Sequence, residues 1–364
     1  MGNRLNRALV GLSAVVLLAG CGSDGSDDKS DTATDNESAP AVEYPVGVAT
    51  VQVNDFIQAE VWYPAVEGTK GTETYDVKTF TPFVVQTMLT GDAPSTYTYA
   101  ASRDAKPADG KFPVVLFSHG FGGFRTQSTF LTAYLASRGM VVISPDHPSR
   151  DLGAALTGGS FETDDPQVHL LESLDYLVND TEIFADHVDA SKVAAIGHSA
   201  GGGTVLAAAE DERIDGYVSL ASGLLGPAEK SGKLPDKPSF FMAGSVDAVV
   251  PATRTEAAFK AAPSPSVYWN IEGVGHNGFD DLCTFGNGLG IIGVAMASGL
   301  EKLLEMQPQM RALGEDGCIK PARPVTETFP AIQNGVESWL RSLFAGEVTP
   351  PALPNDVTVT EQTK

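Results

Sequence analysis

One junction constrains this chain more than any other feature of it. The apolar run Val193-Ala194-Ala195-Ile196 passes into Gly197-His198-Ser199-Ala200-Gly201 and then into Gly202-Gly203-Thr204-Val205-Leu206. An apolar run without polar alternation reads as a strand buried on both faces. The Ala- and Gly-rich residues after it read as a helix to about Ala209. Turning so sharply from strand to helix puts the central serine in strained backbone angles. Side chains at the flanking positions would strike neighbouring elements, so both are glycine. The turn raises the serine hydroxyl above the sheet and sets the first helical N–H groups beside it. It works where a parallel strand feeds a crossover helix, so it commits the surrounding chain to an α/β architecture.

The remaining pattern agrees. Val114–Ser118, Val141–Ser144, Tyr217–Leu220, Ser239–Ala243 and Val267–Ile271 are further short apolar runs. Helical stretches are expected at Ser128–Ser137, Leu170–Val178, Thr253–Ala261 and Phe329–Phe344. Strands alternating with helices imply right-handed crossovers and a mostly parallel sheet covered on both faces. Residues 46–63 instead alternate apolar and polar positions, which predicts an antiparallel N-terminal edge. Residues 65–110 read as loop and cap structure with one helical piece near Phe83–Leu89. Residues 43–346 are therefore assigned to one catalytic domain and 347–364 to a flexible tail.

A serine hydroxyl is a weak nucleophile near neutrality and needs a base within hydrogen-bonding reach. The chain has six histidines. Only His276 comes late, in the Gly-rich loop Gly273-Val274-Gly275-His276-Asn277-Gly278 after the last apolar strand. His198 sits inside the turn and is expected to point away from the hydroxyl. A carboxylate should lie between serine and histidine at the end of a strand, the chain order of this kind of site. Phe240-Phe241-Met242-Ala243-Gly244-Ser245-Val246-Asp247 supplies Asp247. Asp215 and Asp236 follow no such strand, and Asp280 and Asp281 come after the histidine. The pattern thus points to Ser199, His276 and Asp247 as nucleophile, base and acid. Ser118-His119-Gly120-Phe121-Gly122-Gly123 is similar to the H-G-x-G loops of esterases and lipases. The Phe121 and Ala200 N–H groups are the expected oxyanion donors.

Four segments together carry a more specific resemblance. They are Phe117-Ser118-His119-Gly120-Phe121-Gly122-Gly123-Phe124-Arg125-Thr126, Leu135-Ala136-Ser137-Arg138-Gly139, Gly197-His198-Ser199-Ala200-Gly201-Gly202 and Gly275-His276-Asn277-Gly278-Phe279. Over residues 44–285 the chain resembles the plasma-type platelet-activating factor acetylhydrolases and their bacterial relatives, of the α/β-hydrolase superfamily. It is more weakly similar to cutinase-like polyester hydrolases. The resemblance implies an α/β-hydrolase fold and a serine hydrolase of short or modified acyl esters, acting without cofactor or metal. The substrate, whether lipid, polymer or small ester, is left open. Dienelactone hydrolases carry cysteine at the turn, where this chain has Ser199, which speaks against lactone chemistry of that type. An extracytoplasmic serine peptidase and a binding lipoprotein on a retired hydrolase fold are the alternatives.

The N-terminus addresses the chain. Arg4 and Arg7 precede an apolar run from Ala8 to Ala19, too short to span a bilayer comfortably and fitting a signal peptide over 1–20. Leu18-Ala19-Gly20-Cys21 resembles the lipobox of bacterial lipoproteins, which implies a lipid on Cys21, an extracytoplasmic location and a membrane anchor. In a cell with two membranes, Gly22 points to the outer one. Residues 21–42 are rich in Asp, Ser, Thr and Gly and are expected to be a disordered tether. Export would leave Cys283 and Cys318 in a compartment where a disulfide can persist, as a bridge or as two free thiols. With 46 acidic and 24 basic residues the formal charge is −22, which repels phosphate backbones and argues against a nucleic-acid partner.

Overall fold

The computed structural model describes residues 43–158, 165–179, 183–225 and 227–364. The expected signal peptide, Cys21 and the tether lie outside the described residues. In chain order the strands are β1 (Val46–Gln52), β2 (Gln58–Pro64), β3 (Glu73–Asp76), β4 (Thr96–Tyr99), β5 (Ser102–Arg103), β6 (Phe112–Ser118), β7 (Val141–Pro145), β8 (Val188–His198), β9 (Gly216–Leu220), β10 (Ser239–Gly244), β11 (Ser266–Ile271) and β12 (Val359–Thr363). Ten form one sheet in the order β12-β11-β10-β9-β8-β6-β7-β2-β1-β5, and β3 and β4 form a separate pair. From β7 through β6, β8, β9 and β10 to β11 all neighbours are parallel. The β1–β2 hairpin and the β2–β7 junction are antiparallel, as the alternation over 46–63 predicts.

Side-chain alternation along the central strands feeds two apolar layers. On one face Val115 and Phe117 of β6, Ile196 of β8 and Phe240 and Met242 of β10 pack under the helices Thr129–Ser137 and Val325–Phe344. On the other, Val114 and Leu116, Ala195, Phe241 and Ala243 pack under Pro166–Asn179, Ala200–Ala208 and Ala252–Ala261. A strand lined on both faces cannot show polar alternation, which is why the central strands read as unbroken apolar runs.

Two expectations change. Residues 347–364 are not wholly a flexible tail: β12 pairs antiparallel with β11 from Val267↔Thr363 to Ile271↔Val359. A polar edge strand buries little, so its sequence has no apolar signature. The long C-terminal helix starts at Val325, not Phe329, and carries Pro330 inside it. Residues 282–325 contain the helices Gly290–Ala297, Glu301–Met306 and Pro308–Glu315. Among the described residues no helix is long and apolar enough to cross a membrane.

Candidate active site

Each chemically equipped loop leaves the carboxyl end of a parallel strand, the edge of an α/β sheet where sites form. Ser199 directly follows β8 with φ 54° and ψ −121°, a left-handed backbone rare for a side-chain-bearing residue. The glycines around it leave no space. A Cβ on Gly197 would stand 2.1 Å from the Gly201 carbonyl oxygen, and one on Gly201 would stand 2.0 Å from that of Ser118. These close backbone approaches hold the strained turn.

His276, in the loop after β11, places Nε2 2.9 Å from Ser199 Oγ. Its Nδ1 lies 2.9 Å from Asp247 Oδ2. Asp247, in the loop after β10, spends Oδ1 on the N–H groups of Val249 and Val250 at 2.9 and 2.6 Å, which leaves Oδ2 for the imidazole. Base and acid are buried while Ser199 is partly exposed, so only the hydroxyl end of the chain of hydrogen bonds is open to an incoming molecule. The structure therefore brings Ser199, His276 and Asp247 together. The rival acids stand elsewhere: Asp215 and Asp236 are exposed, and Asp215 accepts the Val193 N–H.

The loop after β6 borders the serine. A Cβ on Gly120 would lie 3.2 Å from Ser199 Cβ. Phe121 is exposed, and among the described residues no backbone acceptor takes its N–H. The Ala200 N–H belongs to a first helical turn, whose amides have no intrahelical partner. The loop after β6 and the first turn of the helix Ala200–Ala208 thus meet at Ser199.

Three side chains brace this arrangement and were not found by sequence reasoning. Arg150, after β7, donates to Ser118 Oγ and the His119 carbonyl at 2.7 and 2.9 Å, and to Thr204 Oγ1 at 2.7 Å. It thereby ties the β6 loop to the helix behind Ser199. Gln127 accepts the Gly120 N–H through Oε1 at 3.2 Å and donates to Asp280 Oδ2 at 2.8 Å. Asp280 lies fully buried, 3.6 Å from His198 Nδ1. Burial pushes its carboxyl well above the usual range. The only sequence signal was the adjacent pair Asp280-Asp281 beside an apolar loop.

His198 turns away from the serine hydroxyl, its Nε2 3.1 Å from the His276 carbonyl oxygen. Burial, reinforced by His276, holds its pKa well below the ordinary value. Burial and Arg150 hold His119 down at about 3. Cys283 and Cys318 form a disulfide, which closes the alternative of two free thiols. Among the described residues no group of three or more His, Cys, Asp or Glu side chains converges as a metal site would require.

Residues 115–270 match the model of the alpha/beta hydrolase family. A ferulic acid esterase from Streptomyces cinnamoneus superposes with a TM-score of 0.65, covering 89% of this chain and 98% of that one at 22% identity. The chain has the α/β-hydrolase fold. Residues 25–176 match the family described as platelet-activating factor acetylhydrolase, isoform II. The chain is 26% identical to platelet-activating factor acetylhydrolase of Cavia porcellus over 279 residues, which is 65% of this chain and 63% of that protein. It is 25% identical to cutinase est2 of Thermobifida alba over 171 residues, 45% of this chain and 53% of that protein. The alignments span less than two thirds of the curated relatives' own length. The resemblances read from the four sequence segments, to acetylhydrolases and more weakly to cutinases, are those the comparisons show.

Proposed function

We propose that this α/β hydrolase is a serine carboxylic-ester hydrolase working through an acyl-enzyme on short or modified acyl groups. The observation that carries the reading is the unbroken chain from Ser199 Oγ to His276 Nε2 and from His276 Nδ1 to Asp247 Oδ2, each step 2.9 Å. Ser199 Oγ attacks the ester carbonyl while His276 takes its proton at Nε2, and Asp247 stabilises the imidazolium that forms. The Phe121 and Ala200 N–H groups hold the oxyanion. His276 then gives the proton to the departing alkoxide, leaving an acyl group on Ser199. Water repeats the sequence, releases the acid and restores the hydroxyl. The names of the relatives, an acetylhydrolase and a cutinase, support esters over amides. The intact hydrogen-bonded chain supports catalysis over a retired binding module.

Purified protein should hydrolyse 4-nitrophenyl acetate, and Ser199→Ala should cut kcat by roughly a thousandfold or more. A Ser199→Ala variant with undiminished turnover would remove the reading.

We also propose that the protein acts outside the cytoplasm on a lipid anchor at Cys21. The Cys283–Cys318 disulfide supports export, because such bonds persist in oxidising compartments.

A further inference from the structure

Two loops must keep a fixed distance for the proposed relay to work, and they touch directly where Val246 N–H donates to the Val274 carbonyl and Gly273 N–H to Ser245 Oγ. One carries Asp247 and the other His276. A third segment reaches both. Asp316 ends the helix Pro308–Glu315. Its Oδ1 accepts the His276 N–H at 2.7 Å, and its Oδ2 accepts the Ala248 N–H at 2.9 Å. Its own carbonyl accepts the Asn277 N–H at 2.9 Å. The base, and the residue next to the acid, thus hang from the two oxygens of one carboxyl group.

The backbone around Asp316 is pressed against the histidine loop. A Cβ on Gly275 would stand 2.5 Å from Gly317 Cα, and one on Gly317, whose φ is +94°, would stand 2.8 Å from the Asn277 nitrogen. Asn277 Nδ2 donates to the Leu313 carbonyl at 2.7 Å. Cys318 is then tied by the disulfide to Cys283, farther along from His276. Hydrogen bonds, glycine packing and a covalent link all fasten the same segment to the same loop.

We infer that Asp316 is a positioning residue, which sets the span between the Asp247 and His276 loops and so the alignment of imidazole with Ser199. The inference rests on the proposed ester hydrolysis and deepens it. The chemistry explains the residue type. Two N–H donors approaching from two loops need two acceptors at a fixed separation, and an ionised carboxylate supplies both. An amide in its place offers one acceptor and turns an NH2 group toward the other donor.

The test measures 4-nitrophenyl acetate hydrolysis by the full chain, as wild type, Ser199→Ala, Asp316→Asn and Asp316→Ala. Rates are expressed per active site counted by end-point labelling with a fluorophosphonate, or per protein for Ser199→Ala, which has no serine to label, and melting temperatures are recorded alongside. Misplacing a catalytic group by about 1 Å costs on the order of a hundredfold. Asp316→Ala should therefore lose about a hundredfold in kcat and Asp316→Asn about tenfold, with KM within about twofold of wild type. A residue that merely stapled the loops would lower the melting temperature and the number of sites while leaving kcat per site unchanged, and that result overturns the inference. Should Asp316→Ala fail to fold, the nearly isosteric Asp316→Asn decides by the same criterion. Activity that survives Ser199→Ala overturns the parent reading, and this one with it.

Discussion

Asp281 shows how far one side chain can act from its place in the sequence. It is fully buried beyond the histidine loop, yet its Oδ2 accepts the Phe130 N–H at 2.9 Å. It thereby caps the helix Thr129–Ser137, whose own N-cap residue Ser128 makes no side-chain capping bond. The Tyr99 hydroxyl donates to its other oxygen. Burial outweighs these bonds and pushes the carboxyl up to about 7. A carboxyl whose pKa is higher in the folded chain than the unfolded value of about 3.9 favours folding most at low pH. That contribution is complete below about pH 4 and is lost as pH rises to about 7. Asp281→Asn has no such loss and keeps one acceptor. It should therefore gain on wild type by roughly 4 kcal/mol between pH 4 and 7, then hold a constant lead. Thermal or urea unfolding of both proteins across pH 4–8 checks this, and parallel stability curves would refute it. At this scale legibility divides sharply. Ser199, Asp247 and His276 were readable because a strained turn and a fixed chain order announce them. Gln127, Arg150, Asp280 and Asp316 were not, because each has partners distant in sequence, such as Gln127 with Asp280, Arg150 with Ser118 and Asp316 with His276, and carries no local pattern of its own.

The central strands and their covering helices were legible as elements for a related reason. Burial on both sheet faces demands unbroken apolar runs, and amphipathic helices repeat their apolar positions. The strand β12 meets neither demand. Its residues are partly exposed, yet it covers the edge of β11 along a register ending at Ile271↔Val359. The Trp269 indole N–H reaches across to Glu361 at 2.8 Å, and Gln362 donates to Glu256 at 2.9 Å. Cross-strand pairs contribute about 0.2–1 kcal/mol each, so a chain ending at residue 346 should lose roughly 3 kcal/mol. It should also aggregate more readily through the uncovered edge of β11. Denaturant unfolding with light scattering measures both. A truncated protein with unchanged midpoint and no added scattering would show the strand to be dispensable.

For the molecule as a whole, the address and the hydrolase fold make separate claims. The proposed lipid on Cys21 would hold this acidic chain and its site at a membrane. Cys21→Ala, expressed in a bacterial host, should move most of the protein from the membrane fraction to the soluble one and abolish incorporation of labelled palmitate. Equal membrane recovery of both forms would contradict the anchor. The fold itself follows from pattern. Apolar runs alternating with helices, and a serine between glycines at one junction, leave a chain no arrangement but a parallel sheet with that turn at its carboxyl edge. Those are local statements, and local sequence suffices for them. What only the tertiary structure decided is the meeting of segments remote in sequence: the imidazole on the hydroxyl, Asp316 across two loops, Arg150 and Gln127 against the loop after β6, and the last strand on β11. Each depends on distances set by packing across the whole sheet, and no stretch of sequence contains such a distance.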